Sequence, residues 1–224
     1  MRHRRLTLRI NKKKNALLYA ERLEKQYPDA ACSLEYAKDP WRLLVMSRLS
    51  AQCTDARVNL VSKALFEKYP DMTALAQAEL TELEQIVYPC GLYRTKARDI
   101  KKLSNELLTD HNGVVPDTME GLLSLSGVGR KIANLILGDV YGKGGIVADT
   151  HCIRISGRLG LTDSTNQVIV ERELDKLIPK DRQTDFCHRL VLFGRETCSA
   201  RSPQCDSCCL NDLCPKVGVK TTKP

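Results

Sequence analysis

Apolar residues recur every three or four positions along most of the chain, the spacing that places them on one face of an α-helix. This pattern holds in "NALLYAERLEKQYP", which stops at Pro28, and in "TDARVNLVSKALFEKYP", in which Thr54 is the predicted N-cap and Pro70 the predicted stop. It also holds in "YRTKARDIKKLSNELLTDHNG", which ends on Gly113, a residue typical of helix C-termini. No long stretch alternates between apolar and polar positions, as a half-buried strand would. The pattern therefore predicts an all-α fold.

Capping residues mark further helix starts. Asp39 and Pro40 open "DPWRLLVMSRLSAQ" as an N-cap and a first helical residue. Asp117 and Glu120 in "DTMEGLLSL" have the spacing of a capping box, so Asp117 is the predicted cap. The stretch "YGKGG" at 141–145 holds three glycines between apolar segments, which predicts a hinge between two lobes.

The charge balance narrows the class of partner. The chain of 224 residues carries 35 Lys and Arg against 27 Asp and Glu, a net charge of +8, and this surplus favours a polyanionic partner such as nucleic acid. Residues 1–14 are rich in Lys and Arg and hold no acid, which predicts a flexible basic arm that contacts phosphate, with a targeting signal as the alternative. No apolar stretch has the length of a membrane span, so no membrane partner is expected.

The ten cysteines fall into two groups. The scattered group is expected to consist of small buried hydrophobic residues; its members are Cys32, Cys53, Cys90, Cys152 and Cys187. The crowded group lies near the end of the sequence and consists of Cys198, Cys205, Cys208, Cys209 and Cys214. A chain with its own hydrophobic core needs no disulfide framework, so the crowded group predicts a metal centre in a reducing compartment.

Four members of the crowded group have the spacing of metal ligands. The pattern is C-x6-C-x2-C-x5-C, formed by Cys198, Cys205, Cys208 and Cys214. Thiolates this close along the chain can surround one ion or one cluster. A tetrahedral zinc site usually uses two C-x2-C pairs and only one is present, so zinc fits less well but stays open. Cys209 is taken as a spectator, because its use would change both flanking spacings.

The segment "LSGVGRKIANLIL" places two glycines between helical stretches. A turn through Gly127 and Gly129, followed by a helix from Arg130, would form a helix-hairpin-helix. The predicted hairpin spans about residues 117–138. The turn amides and the positive end of the second helix would then face a phosphate. An ordinary packing corner between two helices gives the same local pattern, so the segment alone leaves both interpretations open.

Two side chains near the hairpin could react. Lys131 falls in the first turn of the second helix, where the helix dipole disfavours a cation, so its amine could act as a nucleophile. The alternative is a surface lysine that neutralises phosphate. Asp149 in "VADTH" could orient or deprotonate that amine, or it could cap a helix, a role that Thr150 also fits. His151 is expected to be structural, because the sequence offers it no evident acid-base partner.

Taken together, these segments resemble one family. "LSGVGRKIANLIL", "VADTH" and the final cysteine pattern, with "LSAQCTDARVN" and "GLYRTKA", resemble the endonuclease III family of DNA glycosylase/AP lyases from about Asn15 to Cys214. The resemblance implies a two-lobed helix-hairpin-helix glycosylase fold with a six-helix domain at 33–144. The second domain, formed by 15–32 and 145–224, would hold a 4Fe-4S cluster. A DNA-binding cleft is expected between the two domains.

The resemblance also implies roles for individual residues. Lys131 would be the nucleophile that forms a Schiff base, and Asp149 would be its carboxylate partner. Gln52 would fill the gap left by an extruded base, and Leu92 would wedge into the opposite strand. The hairpin backbone would bind a phosphate, in this family often with a monovalent cation, through Gly127, Val128 and Gly129. The four cysteines of the ligand pattern would hold the 4Fe-4S cluster in a mainly structural and DNA-positioning role.

The implied function is base excision repair by a bifunctional DNA glycosylase/AP lyase. Attack of the Lys131 amine on C1′ would remove an oxidised pyrimidine, and β-elimination would then cut the strand. The expected partner is double-stranded DNA with oxidised pyrimidines or abasic sites. The protein is expected to be a monomer in a bacterial cytoplasm, with a nucleus or organelle as the alternative. Two other functions stay open: a mismatch adenine glycosylase, which typically lacks a lysine at position 131, and a noncatalytic helix-hairpin-helix DNA-binding protein.

Three positions depart from the family pattern. Ser126 stands where a proline is common, so an additional N–H and some flexibility are expected before Gly127. Ile132 stands where a smaller or polar residue is frequent, and Cys90 stands where a bulkier aliphatic residue is often found. These changes are expected to alter the opposite-base preference and the range of lesions, and to leave activity in place.

Overall fold

The computed structural model describes the backbone of residues 2–219 and the side chains of residues 12–219. Every regular element in this part of the chain is helical, which confirms the predicted all-α class. None of the described helices is long and apolar enough to cross a membrane. In chain order the α-helices are α1 (Arg2–Gln26), α2 (Pro40–Leu49), α3 (Asp55–Lys68), α4 (Met72–Gln77), α5 (Leu80–Val87), α6 (Tyr93–Asp110), α7 (Met119–Leu123), α8 (Arg130–Asp139), α9 (Thr150–Arg158), α10 (Gln167–Asp175) and α11 (Lys180–Glu196).

The chain forms two compact units. One is Cys32–Gly142, called here the hairpin unit, and the other is Met1–Ala31 with Lys143–Pro224, called the cysteine unit. The units divide after Ala31 and after Gly142, whereas the boundaries expected from the sequence fall after residues 32 and 144. The second boundary falls within the glycine-rich stretch, where glycines interrupt the helical pattern.

The hairpin unit is built around α6, which packs against α2, α4 and α5. The apolar face of α6 carries residues at helical spacing that are fully buried: Ala97, Ile100, Leu103 and Leu107. A short 3-10 turn at Tyr88–Cys90 joins α5 to α6. Helices α7 and α8 pack against each other, and α8 also packs against α2. The α7–α8 connection is therefore held on the core of this unit.

Local capping bonds start two helices where the sequence predicts them. Asp39 accepts the N–H groups of Trp41 at 2.9 Å and Arg42 at 3.2 Å, and Pro40 is the first residue of α2. Thr54 caps α3 through its hydroxyl. Each cap satisfies amides that the helix itself leaves without a partner.

The cap of α7 differs from the prediction. The residue that caps it is Thr118, whose hydroxyl accepts the Gly121 N–H at 3.2 Å, and α7 begins at Met119. The prediction of Asp117 as the cap is wrong by one position. The hydroxyl of Thr118 is placed to reach the third helical amide, which leaves Asp117 outside the helix.

The cysteine unit packs α1 and α9 against α11. Its fully buried side chains include Tyr19, Leu23, Ile155 and Phe186. Helix α1 begins at Arg2, and no Gly or Pro interrupts the sequence from there to Gln26. The flexible basic arm expected at 1–14 stays a prediction. The side chains of residues 1–11, and with them the predicted contact to phosphate, lie outside the described part.

Candidate active site

The turn between α7 and α8 is the predicted hairpin. Val128 anchors it, because its side chain is buried and its N–H donates to the Leu125 carbonyl at 3.1 Å. Gly127 and Gly129 lie on either side and are exposed. Gly129 is the N-cap of α8 and offers no side chain to accept the first-turn N–H groups. A helix start without a capping side chain is suited to bind an anion through its amides.

Gly127 cannot be replaced without strain. Its φ of +76° lies in the left-handed region, and an added Cβ would lie 2.7 Å from Arg48 Nε and 2.9 Å from Asp99 Cβ. Arg48 donates from Nε and Nη2 to Asp99 Oδ2, each at 2.7 Å. The hairpin turn therefore packs directly against this charged pair. The sequence did not predict this pair, because Arg48 and Asp99 are 51 positions apart along the chain.

Ser126 is fixed by a carboxylate of α6. Its backbone N–H donates to Glu106 Oε2 at 2.7 Å, and its hydroxyl donates to Glu106 Oε1 at 2.8 Å. Lys102 lies 3.6 Å from the same Glu106 oxygen that the hydroxyl contacts. The expectation that Ser126 makes the turn more flexible is therefore wrong, because both of its donors are held by one carboxylate.

Lys131 lies in the first turn of α8, and its side chain is exposed. The following residue, Ile132, is partly buried and packs against the core of the hairpin unit. The apolar side chain at 132 thus secures the start of the helix. The Lys131 amine remains accessible to a molecule that binds at the hairpin.

Gln52 and Leu92 share an unusual backbone geometry. Gln52 has φ +55° in the loop between α2 and α3, and Leu92 has φ +48° at the start of α6. Both side chains are exposed, Leu92 by 56%. A left-handed backbone costs a residue other than glycine about 1–2 kcal/mol. Such strain is concentrated at functional positions in proteins, which fits the role that the resemblance gives these two residues.

A buried lysine lies between these two loops. Lys96 is fully buried on α6, and its Nζ donates to the Leu49 carbonyl at 2.8 Å and to the Cys90 carbonyl at 2.7 Å. Burial lowers the pKa of the Lys96 ammonium below the ordinary value of 10.5. This residue was not predicted from the sequence. Its position four residues before Ile100, on the apolar face of α6, was the one signal that could have indicated it.

The scattered cysteines follow the prediction in part. Cys90, Cys152 and Cys187 are buried, whereas Cys32 and Cys53 are half-buried. Burial, together with the neighbouring Cys53 thiol, raises the pKa of Cys90 to about 11. Cys90 is therefore a packing residue of the loop before Leu92 rather than a reactive thiol.

Asp149 is the N-cap of α9 in the cysteine unit. Its Oδ1 accepts the Cys152 N–H at 2.7 Å, and the residue is half-buried. Of the two predicted cap candidates, Asp149 and not Thr150 has this role. His151 Nδ1 lies 3.2 Å from Arg154 Nη2, and a Cβ added at Gly194 would lie 2.3 Å from the same ring nitrogen. These contacts agree with a structural His151.

The four cysteines of the ligand pattern line one pocket of the cysteine unit. The lining of this pocket includes Cys198, Cys205, Cys208 and Cys214 but not Cys209. Two of the sulfurs accept backbone N–H groups at 3.4 Å, Cys208 from Leu210 and Cys214 from Lys216. The Cys198 sulfur accepts from Arg158 Nη1 at 3.2 Å. Hydrogen bonds of this kind are typical around sulfur ligands of iron–sulfur clusters.

Different metal centres make different demands on such a set of cysteines. In the described part of the chain, no three His, Cys, Asp or Glu side chains are close enough together to hold a single metal ion. Zinc would need its ligands in a tetrahedron with Zn–S distances of about 2.3 Å. A 4Fe-4S cluster is larger, because each of its four cysteines binds a different iron. Four cysteines that line one pocket are a ligand set that a 4Fe-4S cluster takes.

The sequence of this chain is similar to those of known proteins. Residues 45–180 match the family described as HhH-GPD superfamily base excision DNA repair protein. The chain is 45% identical to Endonuclease III of Synechocystis sp. over 194 residues, which is 86% of this chain and 88% of that protein. It is 42% identical to Endonuclease III of Bacillus subtilis over 204 residues, 91% of this chain and 92% of that protein. The chain belongs to the endonuclease III family.

The endonuclease III fold is also seen in a solved structure. A trapped Endonuclease III-DNA covalent intermediate, an estranged-adenine complex, matches with a TM-score of 0.85 and 44% identity over 91% of this chain and 96% of that one. Membership in the endonuclease III family confirms the predicted fold class. It also confirms the predicted function, that of a base excision repair DNA glycosylase with AP lyase activity. It favours this function over the adenine glycosylase and the noncatalytic binder. The complex also supports DNA as the partner.

Proposed function

We propose that this endonuclease III family enzyme removes oxidised pyrimidines from double-stranded DNA, with Lys131 as the nucleophile and Asp149 as its carboxylate partner. The observation that carries the proposal is that backbone amides and the Lys131 side chain have separate roles at the hairpin. The turn amides are suited to hold a phosphate without a side chain, so the exposed Lys131 amine is left for chemistry. A relative with 44% identity has been captured as a covalent intermediate with DNA, which supports a covalent route.

The proposed reaction begins with attack on the sugar. The Lys131 amine forms a bond to C1′ while the bond between C1′ and the base breaks, and the base leaves as an anion that takes a proton from water. Asp149 stabilises the positive charge that develops on the sugar and takes a proton from the Lys131 nitrogen once it is bonded to C1′. That proton passes to the ring oxygen O4′ as the C1′–O4′ bond breaks. The sugar ring then opens to a Schiff base. Loss of a proton from C2′ breaks the C3′–O bond, and this β-elimination cuts the strand.

The proposed DNA contacts use backbone and side chains differently. The amides of Gly127, Val128 and Gly129 bind one phosphate, and a monovalent cation at the hairpin adds to that contact. Gln52 fills the space left when the damaged base leaves the stack, and Leu92 enters the opposite strand. Extrusion costs a few kcal/mol and costs least for damaged bases, which helps the enzyme to find a lesion. Abasic sites are substrates for the lyase step alone.

The proposed cofactor is a 4Fe-4S cluster held by Cys198, Cys205, Cys208 and Cys214. Bound there, the cluster would cross-link the loop that follows α11 and supply no electrons to base removal. Arg158 supports the same loop, since it donates to the Ser199 carbonyl at 2.7 Å and the Ala200 carbonyl at 2.8 Å. We expect the enzyme to act as a monomer in a bacterial cytoplasm.

Borohydride trapping tests the nucleophile. Wild type incubated with duplex DNA that contains thymine glycol or an abasic site should give a stable protein-DNA adduct after reduction of the Schiff base. Lys131→Ala should give none. Lys131→Arg is the matched control, because its guanidinium keeps the positive charge but is not a Schiff-base nucleophile. If Lys131→Arg forms the adduct, or if wild type does not, the proposed role of Lys131 is wrong.

A further inference from the structure

One buried ammonium binds the chain at two places, just before the loop that carries Gln52 and just before Leu92. Lys96 Nζ binds the carbonyl of Leu49, the last residue of α2, which lies just before the Gln52 turn. It also binds the carbonyl of Cys90, at the end of the 3-10 turn that leads to Leu92. In addition, the Lys96 backbone N–H donates to the Leu92 carbonyl at 3.0 Å. One residue thus touches both segments.

An ammonium that is buried in this position costs free energy. Lys96 is fully buried, and its Nζ donates to two neutral carbonyls rather than to a carboxylate. Removal of an ammonium from water costs free energy that two neutral acceptors only partly return. An apolar side chain would avoid this cost but would leave both carbonyls without their donor. The ammonium therefore fits a role in fixing one conformation of the two loops.

Both loops need such a constraint. Gln52 and Leu92 have left-handed backbones, although neither is glycine, and an isolated loop would relax from this conformation. The Leu49 and Cys90 carbonyls lie at the ends of a helix and of a 3-10 turn, where carbonyls lack a partner within the element. Three N–H donors on a single ammonium can satisfy carbonyls from different segments at once.

We propose that Lys96 is a positioning residue that joins the Gln52 loop (residues 50–54) to the Leu92 loop (residues 88–92), so that the two side chains enter the duplex as a unit. The proposal rests on the proposed roles of Gln52 and Leu92. Lys96 does not touch DNA. It acts through the two carbonyls, and its effect is confined to substrates in which a gap must be filled and a base on the opposite strand displaced.

Single-stranded and duplex substrates separate this role from a structural one. A single-stranded abasic oligonucleotide has no opposite strand and no stacked duplex, so the lyase step on it needs neither loop. Lys96→Met should reduce single-turnover trapping on the abasic duplex by roughly 10- to 100-fold, the range seen when reacting groups are misplaced. Trapping on the single strand should stay within about twofold of wild type.

A second lysine of α6 provides the matched control. Lys101 Nζ also donates to a carbonyl, that of Ala78 at 2.7 Å, but it contacts neither loop. Lys101→Met should leave both substrates within about twofold of wild type. Duplex trapping by Lys96→Met that equals wild type would overturn the proposal. A loss of the same size on both substrates would also overturn it, because it would show a general structural role.

Two further measurements keep the test decisive. If Lys96→Met is unfolded at the assay temperature, Lys96→Gln is measured instead, since its amide keeps an N–H donor. Equal loss on both substrates again overturns the proposal.

The second measurement is the fluorescence of 2-aminopurine opposite a stable abasic analogue, which rises when the base leaves the stack. Wild type should raise it and Lys96→Met should not, and this result does not depend on Lys131. A wild type that traps nothing but raises the fluorescence would refute the proposed nucleophile and leave the Lys96 proposal standing.

Discussion

Ser126 donates both its backbone N–H and its hydroxyl to the carboxylate of Glu106, at 2.7 Å and 2.8 Å. Both residues belong to the hairpin unit, and the pair ties the turn before Gly127 to α6. A proline at position 126, common in the family, would restrict the backbone but could not donate an N–H. In this chain a two-point hydrogen bond to a carboxylate provides the constraint instead.

Loss of the carboxylate should loosen the hairpin. Glu106→Ala removes both acceptors and leaves two partly buried donors of Ser126 without a partner, so we expect a loss of about 1–3 kcal/mol in the free energy of unfolding. Ser126→Ala removes only the hydroxyl and should cost about 1 kcal/mol. Urea denaturation measures both values. Equal stability of Glu106→Ala and wild type would contradict the clamp.

The two hairpin glycines should respond differently to alanine. Gly127→Ala meets a left-handed backbone and the Arg48 side chain, so a loss of at least about 1–2 kcal/mol is expected. Gly129→Ala is the control, because an added Cβ there has no atom within 4 Å and the φ is −103°. Its thermal unfolding should stay close to wild type. A similar loss in both variants would show that the Arg48 contact does not matter.

Asp149 should separate a structural from a chemical role. Asp149→Asn keeps an oxygen that can accept the Cys152 N–H, so the α9 cap and the stability should be retained, while the lost charge should reduce single-turnover base removal. Asp149→Ala should lose activity and also about 0.5–2 kcal/mol of stability. Thermal unfolding and glycosylase assays on the same preparations distinguish the two effects. An active Asp149→Asn would exclude the carboxylate from the reaction.

The cysteine pocket should bind iron. Purified protein should be yellow-brown, with a broad absorbance near about 400 nm and about four irons per chain. Cys208→Ser should lose iron, whereas Cys209→Ser should keep it, because Cys209 does not line the pocket. Iron analysis and the visible spectrum measure both. A colourless protein that contains zinc would overturn the cluster.

Much of this protein was determined by the sequence alone. The starts of α2 and α3 follow from caps such as Asp39 and Thr54, whose hydrogen bonds reach only two or three residues along the chain. The hairpin glycines and the order of the motifs were likewise readable without a structure. The error at Asp117 shows the limit of this reasoning, because two neighbouring residues competed for one local bond and only Thr118 has it.

The tertiary structure decided which distant residues support the site. Arg48 with Asp99, Ser126 with Glu106, and Lys96 with the carbonyls of both loops are pairs that no local spacing indicates. The physical reason is that a cap depends on atoms within one helical turn. A partly buried ion pair or a buried ammonium depends on how α2, α6 and the hairpin pack. The apolar pattern specifies which face is buried but not which polar groups meet there.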